Sequence, residues 1–268
     1  MKYIKQTLLY FKSNILLLPA FIAACAIMPL IIDFTAYDAI KNSFDGGMLT
    51  ADFFAWFKMF LIFNTTGVPQ ALLSVLAYAV LAIVLGYIHS VVDKHVRFGS
   101  KSFKSIMNGI NGTVMYCIAG TLLFFVFHAI ICSIMAAIMS AFCLIPTPYA
   151  FVIGAVICGA ILVASVLLIQ IFFLWFPCLE ITGFRAYEAL SYSYSLCHKS
   201  MGSIFVSLLL PILITSGVVL ALSLLINVYV AAVIVSILMG MAFTYLSVLD
   251  YIIYANVEGI EREDLRRY

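Results

Sequence analysis

Charge is scarce in this chain of 268 residues. Asp, Glu, Lys and Arg make up 10% of it, against 65% hydrophobic residues, where a water-soluble domain carries roughly 25% charged side chains. From Ser105 to Leu179 none of the four occurs. As one straight helix that run would measure about 110 Å at ~1.5 Å per residue, several times the roughly 30 Å hydrocarbon core of a bilayer. It must fold back, and Pro146-Thr147-Pro148 marks the turn. Ser13–Ile32, Met59–Val92 and Ser200–Leu249 are equally free of charge, and mean hydropathy is +1.17. The expected fold class is all-α: a polytopic membrane bundle of six transmembrane helices, forming one domain over residues 1–268.

Other absences narrow the chemistry. A net charge of +2 is too small to argue for nucleic acid as a partner. The seven cysteines form no CxxC pair, and the four histidines (His89, His95, His128, His198) are scattered, so no metal site is expected. GxSxG, HExxH, Walker A and GxGxxG are missing, and with them the usual signatures of hydrolases and nucleotide enzymes. The expectation is a protein without cofactor and without enzymatic activity. Met1–Lys5 resembles the start of a signal peptide, yet the apolar run after Lys12 lacks a small-x-small cleavage site. It reads as a retained first span.

The spans expected are Ile15–Tyr37, Val68–Val92, Thr113–Cys143, Tyr149–Phe176, Ser203–Ile226 and Val228–Ala255. Pro69 falls in a first helical turn, where its missing N–H costs least. Pro19, Pro29 and Pro211 lie inside spans and are expected to kink them. With the first terminus inside, the inner segments carry Lys2, Lys5, Lys12, Lys94, Arg97, Lys101, Lys104, Arg185, Lys199, Arg262, Arg266 and Arg267, and the outer ones only Lys41 and Lys58. This bias predicts a cytoplasmic (inner) membrane protein with both termini in the cytoplasm. The outer segment 38–67 contains Ala51–Phe63, rich in aromatic residues, which reads as a helix resting at the headgroups rather than as a lid.

An internal repeat is legible at a constant offset. Gly99, Lys101, Phe103, Ile106 and Ile110 fall on Gly183, Arg185, Tyr187, Leu190 and Tyr194. Each stretch follows an inward span and precedes an outward one, so the repeat is parallel in the membrane. Apolar residues spaced by three and four in both copies predict short amphipathic helices on the inner leaflet, within 98–112 and 183–202. Lys101, Lys104, Arg185 and Lys199 are then the candidate contacts to lipid headgroups. Ala129, Ser133, Ala137 and Ala141, with Ala155, Gly159, Ala160 and Ala164 on the next span, predict a tight hairpin through small-residue faces.

The second copy also carries a resemblance. Phe176-Pro177-Cys178-Leu179-Glu180-Ile181-Thr182-Gly183 leads into residues 186–196 and Lys199-Ser200-Met201-Gly202, and Tyr254–Gly259 follows the last span. This pattern resembles the six-span bacterial membrane domain attached to some glycerophosphoryl diester phosphodiesterases, and related integral membrane families. The likeness covers the last third of the chain; Tyr192 stands where a basic residue is usual, and no phosphodiesterase domain is present. The resemblance implies fold and location, imports no activity, and gives Pro177, Glu180, Gly183 and Gly202 structural roles.

Polar groups at membrane depth are functional candidates by default. Asp250, His128 and Gln170 are the ones this sequence offers. Asp250 either binds a cation or proton, or pairs with Lys94 or Arg185. A buried His128 more often bonds a neighbouring helix than relays protons. The function expected is a non-enzymatic scaffold or accessory domain touching membrane lipids and other membrane or envelope proteins, its oligomeric state open. The alternative is a transporter or channel component for a lipid or small hydrophobic solute. A third reading, a lipid enzyme, requires Glu180, Glu188, His198 or Asp250 to converge near the inner leaflet.

Overall fold

Backbone amides find no partner in hydrocarbon, so a chain this apolar is forced into helices wherever it crosses a membrane. The computed structural model describes residues 2–33, 52–61, 63–64, 66–99, 103–145, 148–225 and 228–260, with backbone alone at 103–114, 148, 219–220, 223–225 and 228–229. The described residues are helical apart from short turns. The helices are α1 (Lys2–Ser13), α2 (Leu18–Ile31, preceded by a 3-10 turn at Ile15–Leu17), α3 (Phe53–Phe60), α4 (Val68–Phe98) and α5 (Phe103–Cys143). They continue with α6 (Pro148–Phe173), α7 (Trp175–Thr182), α8 (Ala186–Lys199), α9 (Met201–Leu225) and α10 (Val228–Glu258).

Five segments are long and apolar enough to cross a membrane: α4, α5, α6 with α7, α9 and α10. A sixth is reached only with α2, which is too short by itself and joins α1 at an angle of 85° as one broken pair. Gln6 of α1 accepts a hydrogen bond from Asn256 near the end of α10 at 3.0 Å, so both described ends of the chain sit at one end of the bundle. That requires an even number of crossings, and α2 supplies the sixth. It is short, about 21 Å at ~1.5 Å per residue, and sits wedged between α4 and α10. The fold is a multi-pass, all-α membrane bundle.

The first expected span therefore begins where foreseen, and what precedes it is a separate helix. Asn14 makes the elbow: its Oδ1 accepts the Leu16 N–H at 3.2 Å, and its Nδ2 donates to the Tyr10 hydroxyl at 2.9 Å. Pro19 lies in the first turn of α2 rather than mid-span. Tyr3, Thr7 and Tyr10 form the buried face of α1, at helical spacing. Leu8 and Leu9 point outward.

The repeat is visible at its turns and lost beyond them. Gly99 and Gly183 both close a helix in the left-handed conformation, with φ of 62° and 68°, where glycine alone avoids a Cβ penalty. After Gly183 the chain forms the separate helix α8. After Gly99, by contrast, Phe103–Cys143 is one unbroken helix, about 61 Å long at ~1.5 Å per residue, so residues 103–112 are no short amphipathic element of their own. Lys101 lies outside the described residues, as do the Pro146-Thr147 turn, Asn227 and the basic tail from Arg262; of Lys104 only the backbone is described.

The α5–α6 hairpin forms, but not through the expected faces. Ala137, Ala141, Ala155, Gly159, Ala160 and Ala164 are exposed. The contact runs instead through Met135, Ala136, Met139 and Cys158, with Gly154 letting Met139 and Phe142 approach closely. Small size permits helix contact, and periodicity alone cannot say which stripe faces the partner. The aromatic outer helix is anchored on the bundle: α3 docks on α5, with Trp56 2% exposed among Met135, Met139 and Cys158.

Helices α2 and α10 approach each other closely at Gly240. A Cβ on Gly240 would lie 2.8 Å from the Cys25 backbone nitrogen and 2.9 Å from its Cα. Backbone atoms cannot swing aside as side chains do. Gly240→Ala should lower the thermal midpoint of the detergent-solubilised protein, at a cost of about 1–3 kcal/mol, and Gly240→Leu should abolish folding. Gly159→Ala, with nothing within 4 Å of its added methyl, should leave the midpoint unchanged.

Candidate functional site

Burial is uneven along the helices. Towards the end that holds α1 and α8, residues 88–93 of α4 and 247–255 of α10 are almost continuously buried, whereas the opposite halves expose Leu72, Val75, Leu76, Val233 and Ile237. Helices α4 and α10 run toward this basic end side by side. His89 and Asp250 stand nine and eight residues from the ends of their helices, Phe98 and Glu258, which puts them level, about 13 Å above those ends.

There they meet. His89 Nδ1 lies 3.7 Å from Asp250 Oδ2, with the two side chains 6% and 7% exposed. That separation is too long for a hydrogen bond, and Nδ1 makes none. The other carboxylate oxygen, Oδ1, accepts the backbone N–H of Tyr251 at 2.6 Å. Phe176 of α7 stacks on the imidazole with centroids 4.6 Å apart and planes at 18°, and Tyr251 packs against it at 5.3 Å. Glu180 of α7 acts electrostatically on Asp250, and both act on Cys117 of α5. At an effective dielectric of ~20, a unit charge pair 4 Å apart interacts by about 4 kcal/mol. Charge states in this pocket of side chains are therefore set by one another rather than by bulk water.

One turn closer to the helix ends, charge is neutralised conventionally. Arg97 forks onto Asp93, its Nη2 donating at 3.0 Å, while Lys94 stands 3.8 Å from the same carboxylate. Lys94 is thereby committed to Asp93, and Arg185, at the exposed start of α8, forms no ion pair among the described residues. The expected cationic partners of Asp250 are replaced by His89.

The remaining candidates resolve into structural roles. His128 Nε2 is 3.1 Å from the Phe60 carbonyl, which ties α5 to the end of α3. Gln170 Nε2 donates to the Met201 carbonyl at 2.7 Å, and the Gln170 backbone carbonyl accepts from Cys197. Pro177 lies in the first turn of α7 and has no N–H for the Phe173 carbonyl, which accounts for the break at Leu174. Gly183 is the left-handed cap already described, and nothing in the packing explains Gly202. Glu188 caps its own helix by accepting the Arg185 N–H. Glu188 and His198 sit on the exposed side of α8, so of these four residues Glu180 and Asp250 come near each other while the other two stand apart from them. Among the described residues no group of three or more His, Cys, Asp or Glu is arranged to hold a metal ion.

His89 is the residue the sequence did not single out. A histidine carries no formal charge, so His89 does not interrupt the charge-free run Met59–Val92. A polar ring within an apolar span was the available signal.

Fold and site define a multi-pass helical membrane protein with a buried ionisable pair at its basic end. No family model, curated protein or solved structure matches the chain.

At the surface beside this end, the Tyr192 hydroxyl donates to Glu258 Oε1 at 2.7 Å. Loss of that proton would set phenolate against carboxylate, and the hydrogen bond pushes the phenol up to about 12. A phenol raised above its ordinary value of about 10 contributes stability in full below that pH, lost as pH rises toward the folded value. The tyrosinate absorbance of wild type minus Tyr192→Phe should therefore rise near pH 12. In the Glu258→Gln background the same difference should move down toward about pH 10.

Proposed function

We propose that this chain is a non-enzymatic scaffold or accessory protein of a bacterial cytoplasmic membrane, with both termini in the cytoplasm, that contacts anionic lipid and envelope partners through its basic end. The observation that carries this reading is the way α8 is mounted. Ala189, Ser193, Leu196 and Cys197 are its buried face, held by Ser193 Oγ on the Ile171 carbonyl at 3.1 Å and by Trp175 Nε1 on the Ala186 carbonyl at 2.9 Å. Its outer face leaves Tyr187 80% and Tyr194 55% exposed, with Phe184 beside them. Arg185 and Lys199 flank that face and are also exposed. Aromatic rings between two cations suit the headgroup layer of an anionic leaflet. Helix α1, with Lys2, Lys5 and Lys12 exposed, adds to the same surface, and the distribution of Lys and Arg along the chain supports a cytoplasmic side for it.

A second reading, a carrier for a lipid or small hydrophobic solute, draws support from the buried His89–Asp250 pair. Against it, His128 and Gln170 are taken up by helix-to-helix hydrogen bonds.

The full chain in nanodiscs of mixed anionic and zwitterionic lipid should retain anionic lipid selectively when examined by native mass spectrometry. Arg185→Glu combined with Lys199→Glu should cut that retention by about tenfold or more, given roughly 1 kcal/mol per surface cation. Equal retention by wild type and variant would reject the lipid-contacting surface. Vesicles in which the reconstituted protein accelerates movement of a labelled lipid would favour the carrier.

A further inference from the structure

The His89–Asp250 pair poses a question of charge that the scaffold reading leaves open. An imidazole and a carboxylate can hold no proton, one or two between them, with net charges of −1, 0 and +1. Both side chains are more than nine-tenths buried, and burial penalises any net charge. The +1 state would place two donors against each other. One shared proton is the neutral solution, written either as imidazolium facing carboxylate or as imidazole facing carboxylic acid.

Geometry agrees with a shared proton. His89 Nδ1 is buried, makes no hydrogen bond, and lies 3.7 Å from Asp250 Oδ2. A closure of less than 1 Å brings the two atoms to hydrogen-bond distance. We propose that His89 and Asp250 together form a proton-binding site linking α4 to α10, occupied by one proton taken from the aqueous side nearest the basic end. No other atom changes partner: the proton binds as one N–H or O–H bond and leaves to water.

The groups around the pair are few. Cys117 of α5, Glu180 of α7 and Tyr251 of α10 are its near titratable neighbours. Further toward the helix ends lie Asp93 with Lys94 and Arg97 on α4, His95 with Tyr10 of α1, and Tyr254 and Glu258 of α10, the last bonded to Tyr192 of α8. Helix α2 offers only Cys25, which faces Gly240, and α9 contains no titratable side chain. With the cations further down engaged by Asp93, the proton is the positive charge left to balance Asp250.

At about pH 8.5 an exposed imidazole and an exposed carboxylic acid would both have lost their protons. The test is to record, at that pH, the infrared spectrum and the ring 15N spectrum of the full chain in nanodiscs. The site predicts one retained proton, seen either as a protonated carboxyl C=O band or as an imidazolium signal. A carboxyl band should be lost in Asp250→Asn and shifted in His89→Gln, whereas an imidazolium signal should be lost in His89→Gln and shifted in Asp250→Asn. Asp250→Glu, which keeps the acid and moves its band, assigns the signal should Asp250→Asn fail to fold. An ionised Asp250 facing a neutral His89 at pH 8.5 would overturn the proposal, as would a retained proton signal that none of the three variants alters.

Discussion

A helix in hydrocarbon gains nothing by burying a leucine against another leucine, since lipid tails are just as apolar. What remains is the geometry of close contact, and here it centres on α10. That helix touches α1, α2, α4, α7, α8 and α9, and at Gly240 its backbone lies against the backbone of Cys25. Helix α2 is too short to span a bilayer of about 30 Å by itself; being clasped between α4 and α10 lets it serve as a crossing. Once those three are fixed, α5 is placed by α4, α6 by α5, and α9 by both α6 and α10.

The basic end depends on the same three helices. Spans of 31 residues in α4 and α10 exceed the ~20 that a bilayer core needs. The surplus emerges as a packed extension where α1 and α8 lie against the bundle. Buried polar chemistry collects there because it needs neighbours that composition in the middle of the spans does not supply. His89 and Asp250 come together only because two helices descend in parallel to the same level. Asp93 and Arg97 do so along one helix, as an i, i+4 pair.

Much of this was legible in the sequence, and the failures have a common cause. Charge-free runs located the crossings because a charge cannot sit in hydrocarbon, and Gly99 and Gly183 marked the turns because both require a left-handed backbone. Which side of each helix faces inward was not legible. Lipid and protein interior are equally apolar, so the alanine stripe at Ala155, Ala160 and Ala164 turned outward while Met135, Met139 and Cys158 turned in. Tyr187 and Tyr194 were correctly grouped on one face, yet the docking face of α8 is the small-residue side. The elbow at Asn14 was hidden because Asn14 lies only one residue inside a run that otherwise reads as span. His89 was hidden because its importance comes from a partner 161 positions away (89 to 250).

Hydrogen–deuterium exchange of the full chain in nanodiscs examines the packed basic end most directly. If α4, α7 and α10 are locked together there, backbone amides at 90–96 and 250–255 should exchange as slowly as those in mid-span. Rapid exchange setting in at the level of His89 and Asp250, with protection confined to the lipid-covered turns, would contradict the packing on which both the docking surface and the proton site are built.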